Sequence, residues 1–155
     1  MIRTIKAFDI KGKNILLRVD FNVPMDERGV SNNFRIKTAL PTIKSCIEGG
    51  ASITIMSHLG RPNGSPSKKF SLMPVGEELA KLLEMPIKFS EDCISSDSID
   101  TSIGLKPGEI HLLENLRFHN EEVENDKEFS RILSRHGHIY INDAFGTAHR
   151  SHASN

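Results

Sequence analysis

Ile15-Leu16-Leu17-Arg18-Val19-Asp20-Phe21-Asn22 is an apolar run that breaks abruptly into an acid, an aromatic and an amide. Three further stretches have the same shape. Ile53-Thr54-Ile55-Met56 leads into Ser57-His58-Leu59-Gly60-Arg61-Pro62. Ile110-His111-Leu112-Leu113 leads into Glu114-Asn115-Leu116-Arg117. Ile139-Tyr140-Ile141 leads into Asn142-Asp143-Ala144-Phe145-Gly146-Thr147-Ala148-His149-Arg150. Each run reads as a strand, and helical patterns separate them, which predicts an α/β fold with a mostly parallel sheet. Strands running the same way deliver all four polar segments to one sheet edge, where open parallel sheets bind ligands. The expectation is a single crowded site, rich in guanidinium and imidazole and suited to a small polyanion.

The intervening segments fill in the layers. Ile36, Leu40, Ile43 and Ile47 recur at helical spacing and stop at Gly49-Gly50. Pro41 within them either kinks the helix or lies in its first turn. Met25 to Asn33 reads as a polar loop, and Asn63 to Lys69 as a loop dense in Gly, Pro, Ser and Lys. Ser71 is placed to cap a second helix with Val75, Leu79, Leu82 and Leu83 on one face, ended by Pro86. Ile87-Lys88-Phe89 is a short strand. Ser95 to Ser102 is a poor helix or a loop, because Ser, Asp and Thr compete for helical hydrogen bonds. Lys106-Pro107-Gly108 turns into the third strand. Asp126 caps a helix with Phe129, Ile132 and Leu133 inward, stopped by Gly137. No apolar element follows Ala144 to Asn155, so the chain reads as cut short.

Composition narrows the function. The 155 residues make one domain with a formal net charge of zero, 37% apolar and 26% charged residues. A general nucleic-acid binder would be more basic. No apolar stretch reaches the ~18 residues of a membrane span, and Met1 to Lys6 leads into no signal-peptide core. A cytosolic protein is expected, with Cys46 and Cys93 as buried or idle thiols.

Arg presents a planar fork that matches phosphate and carboxylate oxygens two at a time. Arg35, Arg61, Arg117 and Arg150 are the candidate anion ligands, with His58 and His149, while Gly60 and Gly146 admit a ligand close to backbone. Asp20 and Asn22 hold a hydroxyl or orient the arginines. Arg18, inside its strand, is expected to brace the acid groups. His119, His136 and His138 are assigned to surface or packing. Ser57 and Ser151 lack the setting of a catalytic serine. There is no GxxxxGK[ST] and no GxGxxG. His149 and His152 lack a third metal ligand in sequence. Taken singly, each Arg or His is more commonly a solvated or structural residue, and Asp143 more commonly a cap or turn former.

Taken together, Arg18-Val19-Asp20-Phe21-Asn22-Val23-Pro24, Ser57-His58-Leu59-Gly60-Arg61-Pro62, Glu114-Asn115-Leu116-Arg117-Phe118 and Asp143-Ala144-Phe145-Gly146-Thr147-Ala148-His149-Arg150 resemble the signature segments of phosphoglycerate kinases. Ala39-Leu40-Pro41-Thr42-Ile43 and Ser71-Leu72-Met73-Pro74-Val75 fit in the same order. The resemblance covers essentially the whole chain. It implies a three-layer Rossmann-like domain: residues 1–155 as an incomplete N-terminal domain, without the C-terminal nucleotide-binding domain. Such enzymes are typically monomeric glycolytic transferases that move a phosphoryl group between 1,3-bisphosphoglycerate and ADP, giving 3-phosphoglycerate and ATP. By that resemblance Asp20, Phe21 and Asn22 bind the glycerate region. Arg35 faces the reacting carboxyl as the catalytic contact. His58, Arg61, Arg117 and Arg150 hold the non-reacting phosphate, Leu59 and Gly60 contribute backbone, and His149 flanks the pocket. Magnesium ATP or ADP is implied for the absent domain, and neither cofactor nor metal for this chain. Asn32-Asn33 and Ser151 depart from the family's usual acidic residues and alanine without removing a binding group. The chain alone is expected to bind 3-phosphoglycerate without turnover. The competing readings are a non-catalytic anion-binding α/β module and, more weakly, a phosphate-ester hydrolase, for which no water-activating base or metal site is visible.

Overall fold

The computed structural model describes residues 10–143. Five strands make one sheet: β1 (Asn14–Val19), β4 (Ser52–Met56), β5 (Lys88–Ser90), β6 (Ile110–Leu113) and β7 (Ile139–Asp143). The spatial order is β5-β6-β4-β1-β7, and every adjacent pair is parallel. Leu17 lies beside Ile55 and Ile141, and Ile55 beside Leu112. The strands are therefore level, and their carboxyl ends leave the sheet at the same edge.

Alternation along each strand divides the core in two. Ile15, Leu17, Val19, Ile53, Ile55, Ile110 and Leu112 face one way, into the larger cluster. Helices α1 (Phe34–Glu48) and α2 (Met73–Leu83) cover that face. The stripe of α1 that buries is Ile36, Ala39, Ile43 and Cys46, with Leu40 and Ile47 at its margin. Pro41 lies inside α1 rather than in its first turn. It sits on the exposed side, so the Lys37 carbonyl that loses its helical partner can turn to water. Helix α2 starts at Met73, just after Ser71, and Ser71 Oγ accepts from the Met73 amide (3.1 Å).

Two segments are more ordered than their composition predicts. Within Met25 to Asn33 the chain forms a small antiparallel hairpin, β2 (Met25–Asp26) with β3 (Gly29–Val30). Asp26 Oδ1 accepts from the Arg28 amide (2.8 Å), and Gly29 supplies a φ of +114°. Ser96–Ile103 is a regular helix, α3. Ser95 Oγ caps it by accepting from the Ser98 amide (3.1 Å), and Ile99 is buried beneath it. The short α4 (Asn120–Val123) and α5 (Lys127–Leu133) follow β6. Asp126 caps α5 as expected, accepting from the Phe129 amide (2.8 Å).

The second face of the sheet is partly polar. Leu16, Met56 and Leu113 pack with Phe129 and Leu133 of α5, but Arg18, Thr54 and His111 are buried beside them. The polar groups close on one another. His136 Nε2 donates to the Cys93 carbonyl (2.7 Å), so its Nδ1 accepts from Ser102 Oγ (2.7 Å). That uses the only proton on Ser102. His111 Nδ1 therefore donates to Ser102 Oγ (2.9 Å), and His111 Nε2 accepts from Ser90 Oγ (2.6 Å). Thr54 Oγ1 completes the set with a bond to Ser102 (2.9 Å). His136 is thus a core residue, and His111 joins it although nothing in its strand position announces that.

Both imidazoles are held neutral. Burial pushes His111 down to about 4, helped by His136 and Lys88, and burial likewise lowers His136. The unfolded chain therefore binds more protons than the folded one as pH drops below the ordinary value of 6.5. This contribution is complete above 6.5 and is lost as pH falls toward 4. His119 works the other way, since its bond to Asp92 raises it, but it is one half-buried ring against two core rings. The melting temperature is expected to fall between pH 7 and pH 5 in thermal melts at constant ionic strength. Gly137 provides a separate test. A Cβ there would lie 2.7 Å from the Leu16 nitrogen and 3.1 Å from the Asn14 carbonyl oxygen, both backbone atoms of β1. Gly137→Ala should cost about 1–3 kcal/mol by urea titration.

Candidate functional site

The segments leaving β1, β4 and β6 are tied together by hydrogen bonds between them. After β1, Asp20 Oδ1 accepts from the Asn22 amide (3.1 Å) and from Arg35 Nη1 (3.1 Å). The same Arg35 nitrogen donates to the Asn22 carbonyl (2.8 Å). Asn22 Oδ1 accepts from the Gly60 amide (2.9 Å), joining the β1 segment to the β4 segment. Arg117 Nη1 reaches the Gly60 carbonyl at 3.4 Å, joining the β6 segment to the same turn. Asp20 and Asn22 thus orient Arg35 and Gly60, one of the two roles expected of them.

Buried groups support this surface from below. Phe21 has its side chain in the core, so it meets the site through its backbone, and its amide donates to Ser57 Oγ (2.9 Å). Ser57 Oγ donates in turn to the His58 carbonyl (3.1 Å) and is fully buried, a structural hydroxyl. Arg18 is also fully buried, donating to the Val19 carbonyl (2.8 Å) and facing His58 Nδ1 at 3.1 Å. It faces His58 and also lies in the field of the acid groups Glu122 and Asp20. An arginine cannot accept, so His58 Nδ1 is the acceptor and a neutral His58 carries its proton on Nε2. Burial lowers Arg18, while the charges of Glu122, Tyr140 and Asp20 raise it.

Two cavities flank the Gly60 turn. One, of about 290 Å³, is lined by Arg61, Pro62, Asn63, Gly64, Arg117, His119, Asn120 and Val123. Arg61 is exposed and Arg117 half-buried, so two guanidinium groups from different strands line one concavity. The other, of about 560 Å³, lies between Asn22, Leu59, Gly60 and the Lys68-Lys69-Phe70 turn. Among the expected ligands, Asp20, Asn22, Arg35, Gly60, Arg61 and Arg117 gather at this edge, and His58 and Leu59 are buried just beneath it. Arg150, His149 and Gly146 lie outside the described residues, so their convergence with the other arginines is an expectation only.

Sequence reasoning gave no separate role to Glu114, Asn115 or Phe70. Glu114 Oε1 accepts from the Leu72 and Asn115 amides (2.8 and 2.9 Å), and Oε2 from Ser71 Oγ (2.7 Å), which fixes the start of α2 to the end of β6. A buried carboxylate directly after an apolar strand was the available signal, since such a group must find donors.

Asp92, Cys93 and His119 place three ligand-type atoms within 4.8 Å of one another. His119 Nε2 is already bonded to Asp92 Oδ1 (2.7 Å). That bond raises His119 and lowers Asp92, and burial raises the Cys93 thiol. A closed ion pair beside a protonated thiol is a poor metal ligand set. Among the described residues no helix is long and apolar enough to cross a membrane. Both cysteines are buried and free.

The chain is similar to known proteins over nearly all of its length. The sequence model of the family "Phosphoglycerate kinase" matches residues 5–155. The phosphoglycerate kinase of Chlorobium limicola is 50% identical over 153 residues, covering 98% of this chain and 38% of that protein. That of Borrelia hermsii is 48% identical, covering 99% and 39%. Among solved structures, phosphoglycerate kinase from Coxiella burnetii superposes with a TM-score of 0.87 at 38% identity, over 97% of this chain and 37% of the other. The enzyme from Pyrococcus horikoshii gives 0.88 at 34%, over 99% and 39%. The chain thus spans about 38% of the length of the curated relatives it matches.

Gly60 is the position where this geometry is least forgiving. Its φ is +62°, and a Cβ there would land on the Phe70 ring, inside van der Waals contact. Gly60→Ala should lose about 2 kcal/mol or more in a denaturant melt. The backbone amides of Asn22 and Arg117 should shift in the nuclear magnetic resonance spectrum, while those of α5 stay in place.

Proposed function

Because the chain belongs to the phosphoglycerate kinase family, we propose that it is the N-terminal, glycerate-binding part of such an enzyme. In this reading the whole protein is a glycolytic transferase that passes a phosphoryl group between 1,3-bisphosphoglycerate and ADP. One observation carries the proposal: Arg61 and Arg117, from the ends of different strands, line one cavity beside the Gly60 turn. A phosphate with about two charges suits two forked guanidinium groups. Arg150 and His149 would add to the same cradle, and His58, Leu59 and Gly60 would form its floor. Asp20 and Asn22 would meet the glycerate hydroxyl. Arg35, half-exposed and held by Asp20, would face the reacting carboxyl and steady charge during transfer. A carboxylate acceptor is already ionised, so in-line transfer needs positioning and charge stabilisation rather than a general base.

The magnesium ion of a nucleotide does not suit the arginine-lined cavity. A cavity lined by two arginines attracts phosphate and repels a divalent cation, and Asp20 is engaged by Arg35. We therefore propose that the magnesium nucleotide is held by the rest of the relatives' length. The chain alone binds the glycerate without turnover in this reading, in a cytoplasmic and monomeric setting.

Calorimetry with 3-phosphoglycerate and, separately, inorganic phosphate tests the reading. The glycerate should bind more tightly than phosphate, with affinity falling as salt rises. Arg117→Ala should weaken it by about 1.5–3 kcal/mol, roughly 10- to 150-fold in Kd. Equal affinity for the two anions would favour a general anion-binding module instead. A coupled ATP assay should show no turnover by this chain, and measurable turnover would overturn that part.

A further inference from the structure

Asn115 is almost fully buried where β6 ends. Its side chain uses all four of its hydrogen-bonding positions on other residues. Oδ1 accepts from the Leu59 amide (3.2 Å) and the Arg117 amide (3.0 Å). Nδ2 donates to the Leu59 carbonyl (2.7 Å) and the Phe70 carbonyl (2.9 Å). The orientation is unambiguous, because flipping the amide would point two donors at N–H groups and an oxygen at two carbonyls. Through this one group, three segments distant along the chain are fixed in register: the turn after β4, the turn before α2, and the backbone that carries the Arg117 guanidinium.

We propose that Asn115 is a positioning residue of the anion site: its carboxamide sets the distance between the Leu59-Gly60 turn and Arg117, so that both present to the same ligand. This rests on the glycerate-binding reading, and it extends that reading to a residue that touches no ligand. The backbone around it adds rigidity, since the Leu116 amide donates to the Ser57 carbonyl (3.1 Å) and the Asn115 amide to Glu114 (2.9 Å). Phe70 matters here because its ring closes against Gly60. Releasing its carbonyl from Nδ2 would let that ring withdraw and the turn relax.

The test compares Asn115→Asp with Asn115→Ala and with Ser102→Ala, the last a core variant on the polar face of the sheet. Asn115→Asp keeps size and the Oδ1 acceptor, but turns an oxygen toward the Leu59 and Phe70 carbonyls. If Asn115 acts on stability alone, its variants should bind normally wherever they remain folded. If it positions the turn, both Asn115 variants should weaken 3-phosphoglycerate binding about tenfold or more at temperatures where they remain folded. Ser102→Ala, with a comparable loss of melting temperature, should bind normally. Amide hydrogen exchange reads the positioning without ligand: the Leu59 and Arg117 amides should lose protection selectively in Asn115→Ala, which removes their common acceptor. Unchanged affinity in folded Asn115→Asp, or unchanged protection of those two amides, overturns the proposal. If the unmodified chain binds no 3-phosphoglycerate, the glycerate reading fails, and the exchange data alone decide whether Asn115 sets the turn.

Discussion

Parallel pairing across the whole sheet is the constraint on which the rest of this structure depends. Each strand needs a crossover to return to the same starting edge, and each therefore releases its polar tail at the opposite edge. The level register of β1, β4 and β6 puts Asp20, Ser57 and Glu114 at comparable heights. The links from Asn22 to Gly60 and from Arg117 to Gly60 are possible only because of that alignment. A one-residue slip would send every side chain to the other face and would exchange Arg18 with its apolar neighbours.

The two faces of the sheet solve burial differently. The α1 and α2 face is apolar and needs little beyond good packing. The opposite face buries Arg18, His111, Thr54, Ser102 and Glu122, each of which would be costly unpaired. The cost is offset by closure. The two histidines, Ser102, Ser90 and Thr54 form a branched network of bonds centred on Ser102, with a determined proton arrangement, and Arg18 is turned toward His58 beneath the candidate site. On this face Arg18 is the polar residue that reaches from inside β1 to the underside of the candidate site.

Much of this could be read from sequence by periodicity and punctuation. The strands at Ile15, Ile53, Ile110 and Ile139 follow from apolar runs, and the helix after Asp126 from its cap. The segment from Ser95 to Ser102 misled, because a Ser-rich stretch has weak intrinsic helicity, yet Ser98, Ile99 and Ser102 gain partners in the fold. The hairpin at Met25–Val30 was hidden for a related reason: its turn depends on an Asp26 side-chain bond and a single glycine. For the site, residue chemistry singled out Arg35, Arg61 and Arg117, since guanidinium advertises an anion. Asn115 did not stand out, because an amide has no charge and its importance lies entirely in what surrounds it.

Local sequence, then, determined the α/β alternation and placed a polar tail after each apolar run, because hydrophobic period and side-chain charge are properties of a few neighbouring residues. Tertiary structure alone decided which arginines share a cavity, that His58 rests on Arg18, and that one buried amide holds three distant segments in place. Hydrogen bonds between residues tens of positions apart depend on strand order and register, and no short window of sequence contains either.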